Sequence, residues 1–511
     1  MIIRSLMVLL AVLTLIPAHA EYFNVRNLGA QGDGAHLDTP AIQAAVDQCS
    51  RAGGGTVLFP SGRYLCGTLV LASHVTLHLE AGAVLLGSTR LEDYPVLPGP
   101  VRSYTDNYTD KSLIYAAECE DITIAGSGCL DGQGEAFKGP YKVRPYMIRM
   151  ISCRDVHIQD VTMRNSPMWV QHYLACDDVF IHGITVMSYV NANNDGIDID
   201  ACHRVHISDC SVASGDDAIV LKSTMDRACE EITISNCVLS SACNALKMGT
   251  ESNGGFRNIT ISNCTVYDTR LAGLALEMVD GGTMEHIMVH QMVMRNARGG
   301  IFVRLGNRAR PFSENGPLPP VGSMSDIVLR DIKVTGVDTI GCSISGLPNH
   351  PVKDVVLENI DITTKGGAKN QVSTPIPEKE TSYPEFKMFG PLPSCGWYGR
   401  HVQGLRMENM RLASEKPERR PAIVLDDVRD LDLAAIVVGD SIGGDANIYL
   451  QRDVENVWIH HCAPGAQAAL VRVGERISRV VLSGNIISAC RQPIRYDRGA
   501  AKTAVKMRNN L

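Results

Sequence analysis

The sequence predicts an all-β protein built as a right-handed parallel β-helix, a solenoid with an N-terminal capping helix. Three observations point there. A short alternating phrase returns along the chain: Asp155-Val-His-Ile, Asp178-Val-Phe-Ile, Arg204-Val-His-Ile, Glu231-Ile-Thr-Ile, Asn258-Ile-Thr-Ile, His286-Ile-Met-Val, Asp326-Ile-Val-Leu and Asp354-Val-Val-Leu. Its step is roughly 23 to 28 residues, save for 40 between His286 and Asp326, within the solenoid range and too short for a βαβ unit at every step. Aromatic residues make up only 5% of the chain while glycine numbers 46, which suits stacked coils better than an aromatic-rich globular core.

The first twenty residues read as a secretory leader: Arg4 supplies the positive end, Leu6 to Ile16 the apolar run, and Ala18-His19-Ala20 the cleavage site before Glu21. That run is too short to span a bilayer and no later stretch is long enough, so a periplasmic or extracellular protein without a membrane segment is expected. Residues 21–511 then form one β-helix domain. Thr39-Pro40 followed by Ala41, Ile42, Ala45, Val46 and Cys49 reads as an amphipathic helix with a Thr cap and Pro in its first turn, closing the open end of the solenoid.

Each phrase alternates apolar and polar residues, as a half-buried strand does, and a second alternating segment follows most of them. Strands of successive coils pair about 4.8 Å apart, and stability comes from stacking because no coil buries enough surface alone. Asn236 and Asn263 fit an asparagine ladder at a bend. Cys210, Cys237 and Cys264 recur every 27 residues, and the sixteen cysteines of the chain include no zinc-ligand spacing. A column of buried thiols is preferred to disulfides, because free Cys packs as a small hydrophobe. Two stretches break the rhythm, near 311–320 and 365–396, and read as long functional loops. A net charge of −7 leaves no basic footprint for nucleic acid, and no cofactor or resident metal is expected; the chain is expected to act as a monomer.

The chemistry concentrates in two acidic turns, Asn193-Asn194-Asp195-Gly196 and Ser214-Gly215-Asp216-Asp217. Asp195 and Asp216 are 21 residues apart, close to one repeat, so the turns should stack on adjacent coils. Three carboxylates then meet at one spot, where they cannot all ionise cheaply and one pKa should rise into the range of a proton donor. Inverting glycoside hydrolysis needs two carboxyls about 6.5 to 9.5 Å apart, and a lateral offset between coils reaches that window. Gly196 and Gly215 permit the tight bends. A calcium site at these carboxylates, with Asp198 and Asp200 nearby, is the rival chemistry, and plain Asp-rich turns the structural one.

Further residues carry a resemblance. Leu28-Gly-Ala-Gln-Gly-Asp-Gly34, Gly53-Gly-Gly-Thr-Val57, Gly126-Ser-Gly-Cys-Leu-Asp-Gly-Gln-Gly134, Arg144-Pro145, Asn165-Ser-Pro-Met-Trp169 and the two acidic turns together resemble glycoside hydrolase family 28 over residues 22 to 430. The resemblance implies a polygalacturonase-like enzyme on pectic polysaccharides or oligosaccharides. It makes Asp216 the general acid, with Asp195 and Asp217 holding and activating water.

Two departures redirect the specificity. Asn244, or Cys243, stands where the family has histidine, and Gly273-Leu-Ala-Leu-Glu277 replaces an Arg-Ile-Lys motif that grips a galacturonate carboxylate. An ionised Glu277 would repel a uronate. The reading therefore favours exo-galacturonidase or rhamnogalacturonan-type cleavage, with a calcium-dependent lyase or a non-catalytic carbohydrate-binding β-helix as alternatives. Asn193, Asn194, Lys222, Asn244, Lys247, Glu251, Glu277 and Arg304 are the candidate substrate-binding residues, with Arg400-His401 as weaker ones. Asp198, Asp200, Lys222, Lys247, Glu277 and Arg304 should share the outward face of one sheet, either as a binding surface or as an ordinary solvated one.

Overall fold

A computed structural model describes residues 22–102, 109–139, 143–313, 315–368, 372, 375–465, 469–488, 490 and 492–511. The leader expected over the first twenty residues lies outside these, as do Glu314 and parts of the loop near 365–396.

Three strands build a typical coil. His203–Ser208, Ser211–Ser214 and Ile219–Ser223 pair in parallel with Cys229–Ser235, Val238–Ser241 and Leu246–Ser252 of the next coil. The same register continues upward, Val205 to Ile232 to Ile259 on one face and Leu221 to Met248 to Leu276 to Val303 on another. These inward columns are fully buried, and each Ile or Leu removed from water contributes roughly 1.5–3 kcal/mol. The fold is the right-handed parallel β-helix expected from the repeat.

The corners explain the repeated phrase. Its first residue is left-handed in every repeat, with φ 55° at Asp155, 54° at Arg204, 58° at Glu231 and 55° at His286. Asp and Asn tolerate that region, whereas Arg204, Glu231 and His286 take it against preference because stacked corners share one backbone path. A second left-handed corner carries the asparagine ladder: Asn263 Nδ2 donates to Asn236 Oδ1 at 2.8 Å, and Asn236 Nδ2 to Asp209 Oδ1 at 3.2 Å. All sixteen cysteines are free. Cys210, Cys237 and Cys264 form the buried column, each thiol donating to a backbone carbonyl two residues earlier.

The helix spans Thr39–Arg51 and lays Ile42, Ala45, Val46 and Cys49 against the N-terminal strands Tyr22–Asn24 and Gly55–Phe59. Thr39 is its first residue and not its cap. The residue before it, Asp38, makes no capping bond, because its carboxylate accepts from the Gln31 and Gly32 N–H groups at 2.7 and 3.0 Å.

The outward face of the sheet through Ile197–Asp200, Ile219–Ser223, Leu246–Ser252, Leu274–Met278 and Ile301–Leu305 is not solvated. Asp198, Asp200 and Arg304 are completely buried, and Lys222, Lys247 and Glu277 nearly so. The long loop covers part of this face: Ile376, Phe386 and Phe389 pack with Ala275, Phe302 and Tyr398 in a second apolar cluster. The expected alternation of charges is present, but it is enclosed.

Candidate active site

Both acidic turns lead into strands of this covered sheet. Ladder bonds run Val170 N to Asp195 O at 2.8 Å, Gly196 N to Asp217 O at 2.9 Å and Ala218 N to Asn244 O at 2.9 Å. They place Trp169, Asp195, Asp217 and Asn244 in one column across four coils. Asp216 stands beside that column, level with Asn194 below and Cys243 above. The two turns therefore meet as expected.

Neither glycine of the turns uses left-handed backbone. Gly196 is needed for space, since a Cβ there would lie 2.5 Å from the Ala218 carbonyl oxygen. The asparagines of the first turn build it. Asn194, fully buried, donates to Ser166 O and Met168 O at 2.8 and 2.9 Å, and Asn193 Oδ1 accepts from Arg144 Nη2 at 3.1 Å. In the second turn the Asp216 carbonyl accepts from Ser214 Oγ and Ser241 Oγ, both at 2.6 Å. Asp216 Oδ1 accepts from the Asp217 N–H at 3.0 Å.

The three aspartates differ in surroundings. Asp217 Oδ1 accepts from the Asn244 N–H at 3.0 Å and Asn244 Nδ2 at 2.8 Å, and Oδ2 accepts from Lys247 Nζ at 2.9 Å. Burial pushes Asp217 upward, yet Lys247, Lys222 and the Asn244 amide together hold it below the usual carboxylate value. Asp216 has fewer donors; burial and the Asp217 charge push it up. Asp195 is raised well above the usual value by burial, then by Asp198, Asp216 and Asp217, and its buried Oδ1 meets no hydrogen-bond donor among the described residues. Asp216 and Asp217 bring oxygens within 4.8 Å of each other, closer than the window expected between an inverting pair.

Lys247 is the hub. Besides Asp217 it donates to the Tyr383 hydroxyl at 3.2 Å and lies 3.8 Å from Glu277. Burial would discharge it, but Asp217, Tyr383 and Glu277 hold it strongly protonated. Glu277, one coil above it, is pushed up to about 8, by burial first and against Lys247, so at acidic pH it is neutral and does not repel a uronate. Lys222 sits 4.6 Å from the Trp169 ring centre and 3.7 and 3.8 Å from Asp198 and Glu251. An ammonium therefore stands beside Asp198, while Asp200 accepts from Thr224 N and Oγ1 at 3.0 and 2.6 Å, so the chain's own donors engage both carboxylates that flank the acidic turns.

Glu251 is held ionised among Lys222, Arg308 and Arg310 despite burial. Arg304 turns the other way. It donates to Ser345 Oγ and Gly346 O at 2.9 and 3.0 Å and to Glu378 O at 2.8 Å, so it ties down the long loop. Arg400 and His401 also engage that loop: Arg400 binds Glu378 and donates to Ile376 O at 2.6 Å, and His401 Nε2 lies 3.2 Å from Glu378.

Four residues escaped the sequence reading. Arg144 props the first turn, Trp169 faces Lys222, and Tyr383 and Arg308 reach in from loops, the Arg308 guanidinium lying 5.7 Å from the Tyr383 ring centre. Arg144 and Trp169 stood within quoted motifs. Nothing in the local sequence marks Tyr383.

The profile of Glycosyl hydrolases family 28 matches residues 49–382. The chain belongs to family 28. A probable polygalacturonase of Vitis vinifera is 37% identical over 229 residues, covering 41% of this chain and 46% of that protein. The exo-poly-alpha-D-galacturonosidase of Dickeya chrysanthemi is 25% identical over 261 residues, covering 41% and 43%. The chain thus spans about half the length of the curated relatives it matches. Among solved family 28-like structures, an exopolygalacturonase from Thermotoga maritima aligns with a TM-score of 0.58 at 25% identity, covering 67% of this chain and 87% of that one. The family 28 exopolygalacturonase of Yersinia enterocolitica shares the fold, with a TM-score of 0.58 at 19% identity over 86% of this chain and 78% of that one.

Proposed function

We propose that this chain is an exported inverting hydrolase of pectic polysaccharide or its oligosaccharides, attacking uronate-containing chains from an end. The observation that carries the reading is the division between Asp216 and Asp217, adjacent in sequence but pushed in opposite directions by their surroundings. Such a split separates acid from base. Asp216, the proton-holding member, protonates the glycosidic oxygen as the bond to the anomeric carbon breaks. Asp217, held ionised by Lys247 and Asn244, takes a proton from the attacking water. The short Asp216–Asp217 spacing argues that this water is seated toward Asp195 and not between the two neighbours, and the open Asp195 Oδ1 offers it an acceptor.

Lys247 and Arg308 beside a neutral Glu277, with Lys222 and Arg310 at the neighbouring Glu251, favour an acidic sugar. End attack is supported by the long loop, which packs on the sheet and brings Tyr383 to Lys247. The exo-acting names among the relatives point the same way. Rhamnogalacturonan-type cleavage is the second reading, favoured by Ala275 and Glu277 at the positions of the Arg-Ile-Lys motif.

Homogalacturonan, rhamnogalacturonan and oligogalacturonides, each incubated with wild type and Asp216→Asn, test the proposal. Galacturonate monomer as sole early product, absent with the variant, is expected, and proton NMR of the first hemiacetal released should find an inverted anomer. An unsaturated, ultraviolet-absorbing product would make the protein a lyase instead.

A further inference from the structure

Cys243 occupies an unusual place for a thiol. Ile219 pairs with Leu246 across the coils, so Asp216 and Cys243, each three residues earlier, stand level. The sulfur lies within 4.8 Å of one carboxylate oxygen of Asp216 and one of Asp217, close enough for the thiol to turn toward the Asp216 carboxyl. Arg270 Nη2 donates to this sulfur at 3.3 Å while its Nε donates to the Ala242 carbonyl. The guanidinium engages the sulfur as acceptor, which leaves the S–H for the carboxyl. A second connection runs through the backbone: Cys243 N donates to Ser241 Oγ at 2.7 Å, and that hydroxyl donates to Asp216 O at 2.6 Å. Burial and then the two aspartates raise the thiol, keeping it a protonated donor and not a thiolate nucleophile.

We propose that Cys243 is a positioning residue for Asp216: its S–H donates to the carboxyl while Arg270 holds the sulfur, fixing the group that carries the proton. This rests on the reading of Asp216 as the acid. Cys243 then serves the acid and Asn244 the base. The thiol column of Cys210, Cys237 and Cys264 provides a contrast, since those sulfurs donate to backbone carbonyls and touch no reacting group.

The test is the pH dependence of turnover on an oligogalacturonide for Cys243→Ala and Cys243→Ser, with thermal unfolding recorded for each. The alanine variant should lose roughly two- to tenfold in kcat, the range one neutral hydrogen bond spans. Its alkaline limb, which reports the acid, should move to higher pH because the ionised carboxyl has lost a donor; serine should restore both. A Cys243→Ala enzyme whose limb stays in place, whether stable or destabilised, overturns the proposal, since packing alone gives that result. If the alanine chain does not fold, methyl methanethiosulfonate caps the thiol of folded wild type, and unchanged turnover with Cys243 modified is equally fatal. Failure of the underlying reading looks different: Asp216→Asn would then remain active.

Discussion

The Lys247 ammonium lies 2.9 Å from the Asp217 carboxylate, one coil along the stack, and both groups are nearly inaccessible to solvent. At that burial the pair bears on the fold and on the proposed reaction. Replacing Lys247 with methionine leaves Asp217 as an unpaired buried charge, a change that typically costs about 3–5 kcal/mol. The unfolding temperature should fall. Asp217 should also titrate at higher pH without its cation, so the acidic limb of kcat moves upward. An unshifted limb would remove Lys247 from the tuning of the base.

Glu277 makes a pH-dependent contribution to stability. Its folded value of about 8 stands above the ordinary 4.5. Between those values the folded chain holds a proton that the unfolded chain has released. Its stabilising contribution is therefore full below 4.5 and declines as pH rises toward 8, with a slope of at most about 1.4 kcal/mol per pH unit. Glu277→Gln should flatten the dependence of unfolding temperature on pH across that window. Identical profiles for variant and wild type would mean that Glu277 is ionised in the folded protein.

Asn244 donates to Asp217 from both its backbone and its side chain, and its Oδ1 accepts from the Ala272 N–H at 3.0 Å. Asn244→Asp keeps the shape and the Ala272 bond but replaces a donor with a charge beside the base. A loss of kcat on the order of a hundredfold is expected, with little change in KM, because Asp217 and Ala272 engage both ends of the Asn244 amide. A rise in KM alone would reassign it to substrate binding.

Glu378 joins the long loop to Arg400 and His401. Glu378→Ala should free the segment that carries Tyr383. If that segment closes one end of the cleft, released products should shift from monomer toward longer fragments, readable by chromatography. An unchanged product series, with limited proteolysis demonstrating a freed loop, would detach end attack from this loop.

The coil repeat, the asparagine ladder, the thiol column and the stacking of the two acidic turns were legible because each is a local phrase repeated at one step. Register then follows from stacking. The enclosure of Asp198, Lys222 and Glu277 was not legible: alternation distinguishes inward from outward, and cannot tell an open face from one covered by Trp169 at Lys222 and, at Ala275 and Phe302, by a loop far along the chain. The same distance hides Tyr383 and redirects Arg304, which reads as a site cation by its place in the strand but holds the loop's backbone. Asn193 and Asn194, candidate substrate-binding residues by their place in the turn, make bonds to Arg144, Ser166 and Met168 that shape it, and those partners lie more than twenty residues away in sequence. Left-handed Arg204, Glu231 and His286 were invisible for a related reason, since the stack imposes that conformation against the preference of the residue.

Parallel coils stacked in fixed register also make the molecule a ruler. Every step along the axis advances the outer surface by about 4.8 Å, whatever side chains it carries. A polymer lying along that axis meets the protein coil by coil, so each binding position has an address: the Trp169 coil, the Asp195 coil, the Asp217 coil, the Lys247 coil, the Glu277 coil. Exchanging a single coil would rewrite one position and leave the graduations on either side where they were.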